Sequence, residues 1–200
     1  VKQVPDTAEV KINPETNTII RQGLPNIVNP YDKHALEAAI QLKEKHGGKI
    51  TVISMGPTQA TEALKECIAM GADEAVLLSD RIFGGADALA TSFTIAAGIR
   101  KIADFDLIIC GKQAIDGDTA QVGPEVAEHL NIPQVTYAAK LDVDGKTLKV
   151  SRELDEGYEI IETELPALVT VVKSINDPRL PTVRGTMKAN RTEIPVWSAE

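Results

Sequence analysis

The spacing of apolar residues divides the chain into two regions with different predicted secondary structure. Up to about residue 133, short apolar runs alternate with longer segments in which apolar residues recur every three or four positions. The short runs predict buried strands, and the longer segments predict amphipathic helices. The predicted strands cover residues 49–54, 75–78 and 107–110, and the predicted helices cover residues 30–46, 57–71, 88–102 and 124–130.

Beyond residue 133, apolar and polar residues alternate one by one, which predicts strands with one exposed face. These strands cover residues 135–143, 147–154, 159–164 and 167–173, and Asp144-Gly145 is a hairpin turn between the first two. We expect residues 134–136 to extend a parallel sheet and the other strands to form an antiparallel annex. A separate hairpin outside the main sheet is predicted where residues 9–12 and 18–21 flank the turn residues 13–17.

Strands that alternate with helices favour βαβ units, in which right-handed crossovers place helices on both faces of a parallel sheet. We therefore predict an α/β fold with a doubly wound, mainly parallel, Rossmann-like sheet, an antiparallel annex and an extended C-terminal segment. Residues 1–5 are typical of the end of a strand whose beginning is absent. We expect the chain to be truncated at both ends.

The strongest candidate for ligand chemistry is the loop between the strand at 107–110 and the helix that follows it. Gly111 ends the strand, and Pro124 suits the first turn of the helix because that turn leaves N–H groups unpaired. A loop of small residues before a helix amino end is a typical phosphate site, where free N–H groups and the helix dipole attract the anion. Gly117 and Gly123 allow the backbone to approach a ligand closely.

An ordinary strand-to-helix turn is the alternative, but this loop is longer than such a connection needs. Lys112 and Gln113 supply donors, whereas Asp116 and Asp118 would repel a phosphate. We expect the two carboxylates to contact sugar hydroxyls or N–H groups of the loop itself. Neither GxGxxG nor GxxxxGK[ST] occurs in this loop, which argues against the usual dinucleotide site and against a P-loop.

The topology predicts what surrounds this loop, because ligands of parallel sheets bind at the carboxyl ends of strands where the strand order reverses. If the first strand lies beside the strand at 107–110, residues 4–6, 55–56 and 111–122 share one rim. Asn29 precedes a helix that begins with Pro30, so its simplest role is to cap that helix.

Composition narrows the classes of function. The formal net charge of −8 disfavours nonspecific nucleic-acid binding, and two cysteines without a disulfide framework suggest a reducing compartment. We find neither a long apolar run nor a signal peptide, so we predict no transmembrane segment and expect the cytoplasm. His34, His46 and His129 lack the partners of a metal site, and no motif supplies a nucleophile, so we predict neither a metal site nor catalytic side chains.

The segment GKQAIDGDTAQVGP resembles the nucleotide-binding loop of the β subunit of electron transfer flavoproteins. The resemblance continues through VKQVPDTAEVKI, NPYDKHALEAAIQLKE, SMGP, AMGAD and SRELDEG with LPALVTV, and so covers essentially the whole chain. Within the family, GGADALATS and DGDTAQVGP are similar to members from anaerobes. Those members hold a second FAD in this subunit, whereas mitochondrial-type members hold AMP.

The resemblance implies that FAD, or alternatively AMP, lies on this rim and that NADH is the hydride donor. Small residues from Gly84 to Thr91 could lie beside the flavin ring. The simpler interpretation is that they form a helix-capping loop that needs no ligand. The implied cofactor-binding residues are Val4, Asn29, Pro30, Tyr31, Asp32, Met55, Gly56, Gly84, Gly85, Ala86, Asp87, Thr91, Gly111, Lys112, Gln113, Ala114, Ile115, Asp116, Gly117, Asp118, Thr119, Ala120, Gln121 and Val122.

The resemblance also implies protein partners. These are an electron transfer flavoprotein α subunit, an acyl-CoA-type or related dehydrogenase, and ferredoxin. Residues 1–177 would form the nucleotide-binding domain, and residues 178–200 a partner-recognition segment that begins a C-terminal arm. The segment PTVRGTMKA would anchor the dehydrogenase through an aliphatic side chain, and the implied contact residues are Pro181, Thr182, Val183, Arg184 and Met187.

Several alternatives stay open on the sequence. The C-terminal segment could be a solvated tail, which is the plain interpretation of its composition. The pocket could hold structural AMP without a redox centre. The chain could also be a nonredox adenine-nucleotide module of the universal-stress type. An adenylating ligase is disfavoured because the SGGxDS loop is missing.

Overall fold

The computed structural model describes residues 1–6, 11–13, 18–20 and 25–199. The helices are α1 Pro30–His46, α2 Thr61–Met70, α3 Ala88–Ile102, α4 Val122–Leu130 and α5 Val183–Arg191. The strands are β1 Gln3–Pro5, β2 Lys11–Asn13, β3 Thr18–Ile20, β4 Asn26–Val28, β5 Thr51–Met55, β6 Glu74–Leu78, β7 Leu107–Gly111, β8 Gln134–Asp144, β9 Thr147–Leu154, β10 Gly157–Glu164, β11 Ala167–Val171 and β12 Val196–Trp197.

The main strands form two hydrogen-bonded groups. One is the all-parallel order β12–β6–β5, and the other is the order β10–β9–β8–β11–β7. In the second group β7, β11 and the start of β8 run parallel, whereas the rest of β8 pairs antiparallel with β9, and β9 with β10. The predicted mainly parallel sheet and its antiparallel annex are therefore confirmed, and β8 belongs to both.

Helices cover both faces of the parallel strands, as predicted. Leu36 and Ile40 of α1 share one core with the apolar side of α2. On the opposite face, α3 and α4 pack together around Ala96 and Val126. Neighbouring residues of a strand point to opposite faces, and accordingly Leu168 of β11 joins the α3–α4 core whereas Val169 joins a third core beneath the annex.

Strand β11 differs from the prediction. We expected residues 167–173 to alternate and to belong to the annex, but all five residues of β11 are buried and the strand runs parallel between β7 and β8. An unbroken apolar run is typical of a strand that is covered on both faces. The run Ala-Leu-Val-Thr-Val carried that signal.

The predicted N-terminal hairpin is confirmed where the structure describes it. Strands β2 and β3 pair antiparallel in a two-stranded sheet of their own. Its turn, residues 14–17, and the flanking residues 9, 10 and 21 lie outside the described residues. Strands β1 and β4 form a second small antiparallel pair.

The C-terminal segment contains a helix where we expected extended chain. The Thr182 hydroxyl accepts the N–H of Gly185 at 2.9 Å and so caps α5. Gly185 lies against α2, since a Cβ at this position would be 2.0 Å from the Ala69 carbonyl oxygen. Beyond the helix, β12 adds a parallel strand beside β6. The polar sequence of α5 concealed a helix whose contact with its neighbour depends on glycine and alanine.

Across the described ranges, no helix has both the length and the apolar character that crossing a membrane requires.

Candidate functional site

A cavity of about 980 Å³ opens at the carboxyl ends of β5, β6 and β7. Its volume lies near the upper end of the range for small-molecule sites, about 300–1,000 Å³. The loops that follow the three strands form most of its wall, together with the amino ends of α3 and α4. The predicted loops at 55–56 and 111–122 thus share one cavity, but residues 4–6 do not line it. The expected position of β1 beside β7 is wrong, because β1 pairs antiparallel with β4.

Asp32 ties the cavity loop to the rest of the fold. Its buried carboxylate accepts the N–H of Gly111 at 3.0 Å through Oδ1 and the N–H of Lys2 at 2.7 Å through Oδ2. The Lys2 ammonium in turn pairs with Asp116 at 2.7 Å. A buried carboxylate that accepts two backbone N–H groups is well compensated for its loss of water.

Asn29 holds the next part of the same loop. Its side-chain amide donates to the Gln113 carbonyl at 2.8 Å and accepts the Ile115 N–H at 3.1 Å. Asn29 occupies the N-cap position of α1 but makes no side-chain capping bond, so the predicted capping role is wrong. Because both ends of the amide bind the loop, Asn29 orients this wall of the cavity.

The far half of the loop is held by its own side chains. The Gln113 amide donates to Asp118 Oδ1 at 2.7 Å, and the Asp118 N–H donates to the Ala114 carbonyl at 2.9 Å. Asp118 and Ala120 have φ angles of 51° and 53°, in the left-handed region that side chains disfavour. Asp118 thus accepts an N–H of the loop itself, as expected. Asp116 instead pairs with Lys2, which lies outside the loop.

Two glycines of this loop differ in what fixes them. Gly123 lies in the first turn of α4, where a Cβ would be 2.7 Å from Thr170 and 2.9 Å from the Cys110 sulfur. Packing alone therefore requires Gly123. At Gly117, which lines the cavity, a Cβ would meet nothing within 4 Å. Protein packing therefore does not require a glycine at position 117. A ligand that approaches the backbone closely at this position would require one.

Another part of the cavity wall is built by the loop after β6. Asp80 accepts N–H groups from Ala199 at 3.1 Å and Ile82 at 3.2 Å, and these backbone hydrogen bonds hold the pKa of its carboxyl below the ordinary range. Asp87 caps α3 by accepting the Ala90 N–H at 2.8 Å, and Gly85 has a φ of 79°. The capping interpretation of this glycine-rich loop is correct for Asp87, and the loop also lines the cavity.

Most of the predicted cofactor-binding residues come together on the wall of the cavity. Outside it, Val4 is fully buried in β1 and Tyr31 lies beneath the Lys173 ammonium at 5.1 Å; Pro30, Ile115 and Asp116 are also absent from the wall. The predicted residues on the wall are Asn29, Asp32, Met55, Gly56, Gly84, Gly85, Ala86, Asp87, Thr91, Gly111, Lys112, Gln113, Ala114, Gly117, Asp118, Thr119, Ala120, Gln121 and Val122.

The sequence analysis predicted only part of the wall that follows β6, namely residues between Gly84 and Thr91. The rule that placed the other loops on the rim applies equally to the carboxyl end of this strand, so the signal was present. Arg81 there adds a second cation to the wall, besides Lys112 of the predicted loop. The missed residues after β6 are Ser79, Asp80, Arg81 and Phe83. Pro57 and Thr58 after β5 were also missed, as were Ile95, Ile99 and Ile108, which form an apolar floor.

The two cysteines do not supply a nucleophile. Burial raises the pKa of Cys110, on the cavity wall, and of Cys67, in the α2 core, to about 12 in each case. Both thiols are therefore protonated at neutral pH, whereas attack and metal binding require the thiolate. The wall offers hydrogen bonds, cations and apolar contacts to a ligand.

A second feature lies on the outside of α5, and we call it the α5 surface: Leu180, Val183 and Met187. Their side chains are 84%, 81% and 53% exposed. Val183 and Met187 are four residues apart and so lie on the same side of the helix. Pro181, Thr182 and Arg184 are exposed beside them, and Arg184, Lys188 and Arg191 give this part of an acidic protein a basic border.

Comparison with known proteins gives a consistent set of relatives for this chain. Residues 16–200 match the electron transfer flavoprotein domain. The chain is 58% identical over 200 residues to the electron transfer flavoprotein subunit beta of Clostridium acetobutylicum, covering all of this chain and 77% of the relative. It is 54% identical over 200 residues to the caffeyl-CoA reductase-Etf complex subunit CarD of Acetobacterium woodii, covering all of this chain and 76% of that protein. Protein FixA of Azorhizobium caulinodans is 45% identical over 207 residues, covering all of this chain and 74% of FixA.

Proposed function

Because this chain belongs to the electron transfer flavoprotein family as a β subunit, we propose that it binds FAD in the cavity and relays electrons from NADH. The electrons pass to a flavin of the α subunit, to ferredoxin and to an acyl-CoA-type dehydrogenase. Membership of this family replaces the stress-type module and the ligase as interpretations of the nucleotide loop.

The extent of the cavity is the observation that carries the proposal. AMP and FAD share an adenosine and its first phosphate, so the loop at 111–122 suits both. AMP would use that end alone, whereas the cavity of about 980 Å³ continues to the glycine-rich loop at 84–87 and the amino end of α3. Small residues there leave room for a ring system close to the backbone.

The residues of the wall have separate tasks in this proposal. The amino end of α4 and the ammonium of Lys112 would hold phosphate groups, and Asp32 and Asn29 keep that loop in shape. The amino end of α3 favours negative charge near the second half of the cavity. The floor formed by Ile95, Ile99 and Ile108 limits the access of water. A bound flavin supplies the electron chemistry, since it accepts a hydride and releases electrons one at a time.

Structural AMP in the same cavity is the second candidate. It is favoured by Asp87 and Gly85, because capping and backbone conformation account for these residues without a ligand. In that case the subunit has no redox centre of its own, and the flavin of the α subunit carries the electrons.

The experiment is a count of flavin in the purified heterodimer with the α subunit. We expect two flavins per heterodimer, and one after Gly85→Leu, whose side chain would enter the cavity. Gly47→Leu is the matched control, because Gly47 has nearly the same φ, 78° against 79°, and lies at the end of α1 away from the cavity. One flavin with one AMP in the wild type contradicts FAD binding here and supports the second candidate.

The α5 surface suggests where the dehydrogenase binds. Exposed aliphatic side chains with a basic border fit an apolar groove with an acidic border. The name of the Acetobacterium relative places that protein in a complex with a caffeyl-CoA reductase. We propose that Val183 inserts into the dehydrogenase, with Met187 on the same face of the helix.

Strand β10 suggests where the α subunit binds. It is the edge strand of the five-stranded group, and its backbone is unpaired on the outer side among the described residues. Tyr158 and Ile160 are 65% and 58% exposed on one face of this strand. Long edge strands with apolar side chains are normally covered in native proteins, and we propose that the α subunit covers this one.

A further inference from the structure

Arg179 makes an unusually complete contact with α1. Its guanidinium donates to Glu37 at 2.8 and 3.0 Å and to Glu44 at 2.6 and 3.1 Å, and its backbone N–H donates to Glu37 at 3.2 Å. The Glu37 side chain is only 4% exposed. A planar guanidinium between two carboxylates fixes direction as well as distance.

Further hydrogen bonds attach the chain before and after the short segment Leu180–Pro181. Before Arg179, Asn176 binds His34 of α1, with its amide donating to the His34 carbonyl at 3.0 Å. After this segment, the Thr182 N–H donates to the Ala69 carbonyl of α2 at 3.4 Å. Only Leu180 and Pro181 lie between the attachment to α1 and the attachment to α2.

The attachments on both sides therefore fix the backbone at Leu180, while its side chain remains exposed to water. It has the most exposed large apolar side chain in the described part of the chain, at 84%. Its Cα lies at most about 11 Å from that of Val183, because the two residues are three positions apart in the chain. A fixed backbone lowers the entropy that a side chain loses on binding, so an exposed leucine in a fixed position is suited to a partner.

We propose that Leu180 is a second apolar anchor for the dehydrogenase, beside Val183, and that Arg179 is the residue that positions it. This inference rests on the proposed function of the α5 surface in docking that partner. Arg179 touches neither cofactor nor partner in this scheme, and it acts by fixing the direction in which the chain leaves α1. Lysine cannot replace it, because one ammonium cannot bridge both carboxylates in the geometry of the fork.

The test uses the intact flavin-loaded heterodimer with a purified acyl-CoA dehydrogenase as electron acceptor, and measures KM for the dehydrogenase and kcat. Leu180→Ser should raise KM about tenfold and leave kcat and flavin content unchanged, because only ground-state docking is lost. Arg179→Lys should raise KM in the same direction by a smaller factor. The double variant should match Leu180→Ser alone, since the effect of Arg179 passes through Leu180.

Two controls separate this inference from its premise. Lys45→Gln removes an exposed ion pair with Asp142 from the same helix and should leave KM unchanged. Val183→Asp tests docking by the α5 surface itself. If Val183→Asp raises KM and Leu180→Ser does not, Leu180 is not an anchor and the proposed docking stands. Fully additive effects of Leu180→Ser and Arg179→Lys overturn the positioning role, and an unchanged KM in Val183→Asp overturns both proposals.

Discussion

At the level of single residues, Asp32 and Asn29 determine the shape of the cavity loop. Each is buried and each binds backbone groups of residues 111–115. The family resemblance predicted that both contact the cofactor. The sequence could not show that their polar atoms form hydrogen bonds with the protein backbone. That information depends on the approach of α1 to β7, which no local pattern records.

The first prediction at this scale concerns Asp32→Asn. The amide keeps the size of the side chain but replaces one acceptor with a donor that faces an N–H of Gly111 or Lys2. The free energy of unfolding should fall by about 1–3 kcal/mol, because one buried N–H is left without an acceptor. Cofactor retention should also weaken as the loop loosens.

Urea unfolding and flavin content after gel filtration measure the two effects. Glu162→Gln is the control, since its carboxylate is 58% exposed in a surface pair with Lys149, and such pairs contribute little. An Asp32→Asn variant with wild-type stability and flavin content would show that the loop does not depend on this carboxylate.

At the level of elements, α1 carries two attachments that serve different sites. Its amino end holds the cavity loop through Asp32, and its middle and last turns hold Arg179 through Glu37 and Glu44. The helix itself was predictable from its apolar spacing and from Pro30. The attachment was not, because Arg179 lies 142 residues from Glu37 in the sequence.

The second prediction is the pH dependence of this attachment. Burial raises the pKa of Glu37, but hydrogen bonds from Arg179 outweigh it and leave the pKa lowered from 4.5; for Glu44 the Arg179 hydrogen bonds lower the pKa directly. Carboxyls with a lowered folded-state pKa stabilise the fold above their unfolded pKa. The stabilisation is therefore complete at neutral pH and is lost as the pH falls below 4.5 through the lowered values.

The measurement is the free energy of unfolding in urea between about pH 7 and about pH 3.5 for the wild type and Arg179→Gln. We expect a constant difference down to about pH 5 and convergence of the two curves below it. Lys65→Gln serves as the control for loss of one positive charge, because Lys65 pairs with Glu62 on the surface of α2. A difference that stays constant to the lowest pH would show that these carboxyls do not respond to Arg179.

At the level of the whole molecule, β10 is an edge strand of the five-stranded group, and β12 is an edge strand of the three-stranded group. The βαβ rules predicted the parallel strands and placed the loops at 55–56 and 111–122 on one rim, but they did not predict the pairing of β1 with β4. The position of β11 and the first residues of the loop after β6 were missed for different reasons. The first was an error in assigning the period of a short apolar run, and the second was that the rule on strand ends was not extended to residues 79–83.

The prediction at this scale is that Ile160→Asp weakens the heterodimer. A carboxylate on the exposed face of β10 would be buried without a partner if the α subunit covers that edge. The dissociation constant should rise at least about tenfold, which sedimentation velocity at decreasing concentration can measure.

Val196→Asp is the matched control, because Val196 is 51% exposed on the other edge strand β12. Equal dissociation constants for the wild type and Ile160→Asp would place the α subunit elsewhere. A loss of affinity in Val196→Asp alone would assign the interface to the β12 edge.

The position of β11 between β7 and β8 has a consequence for synthesis on the ribosome. Within the described residues β7 pairs only with β11, which begins 60 residues later in the chain, at Ala167 against Leu107. At translation rates of about 5–20 residues per second, β11 is synthesised roughly 3–12 s after β7, and the edge of β7 is unpaired during that time. The nascent chain therefore emerges with its parallel core incomplete, and the strand that bears the cavity loop is the one left open to chaperones in the interval.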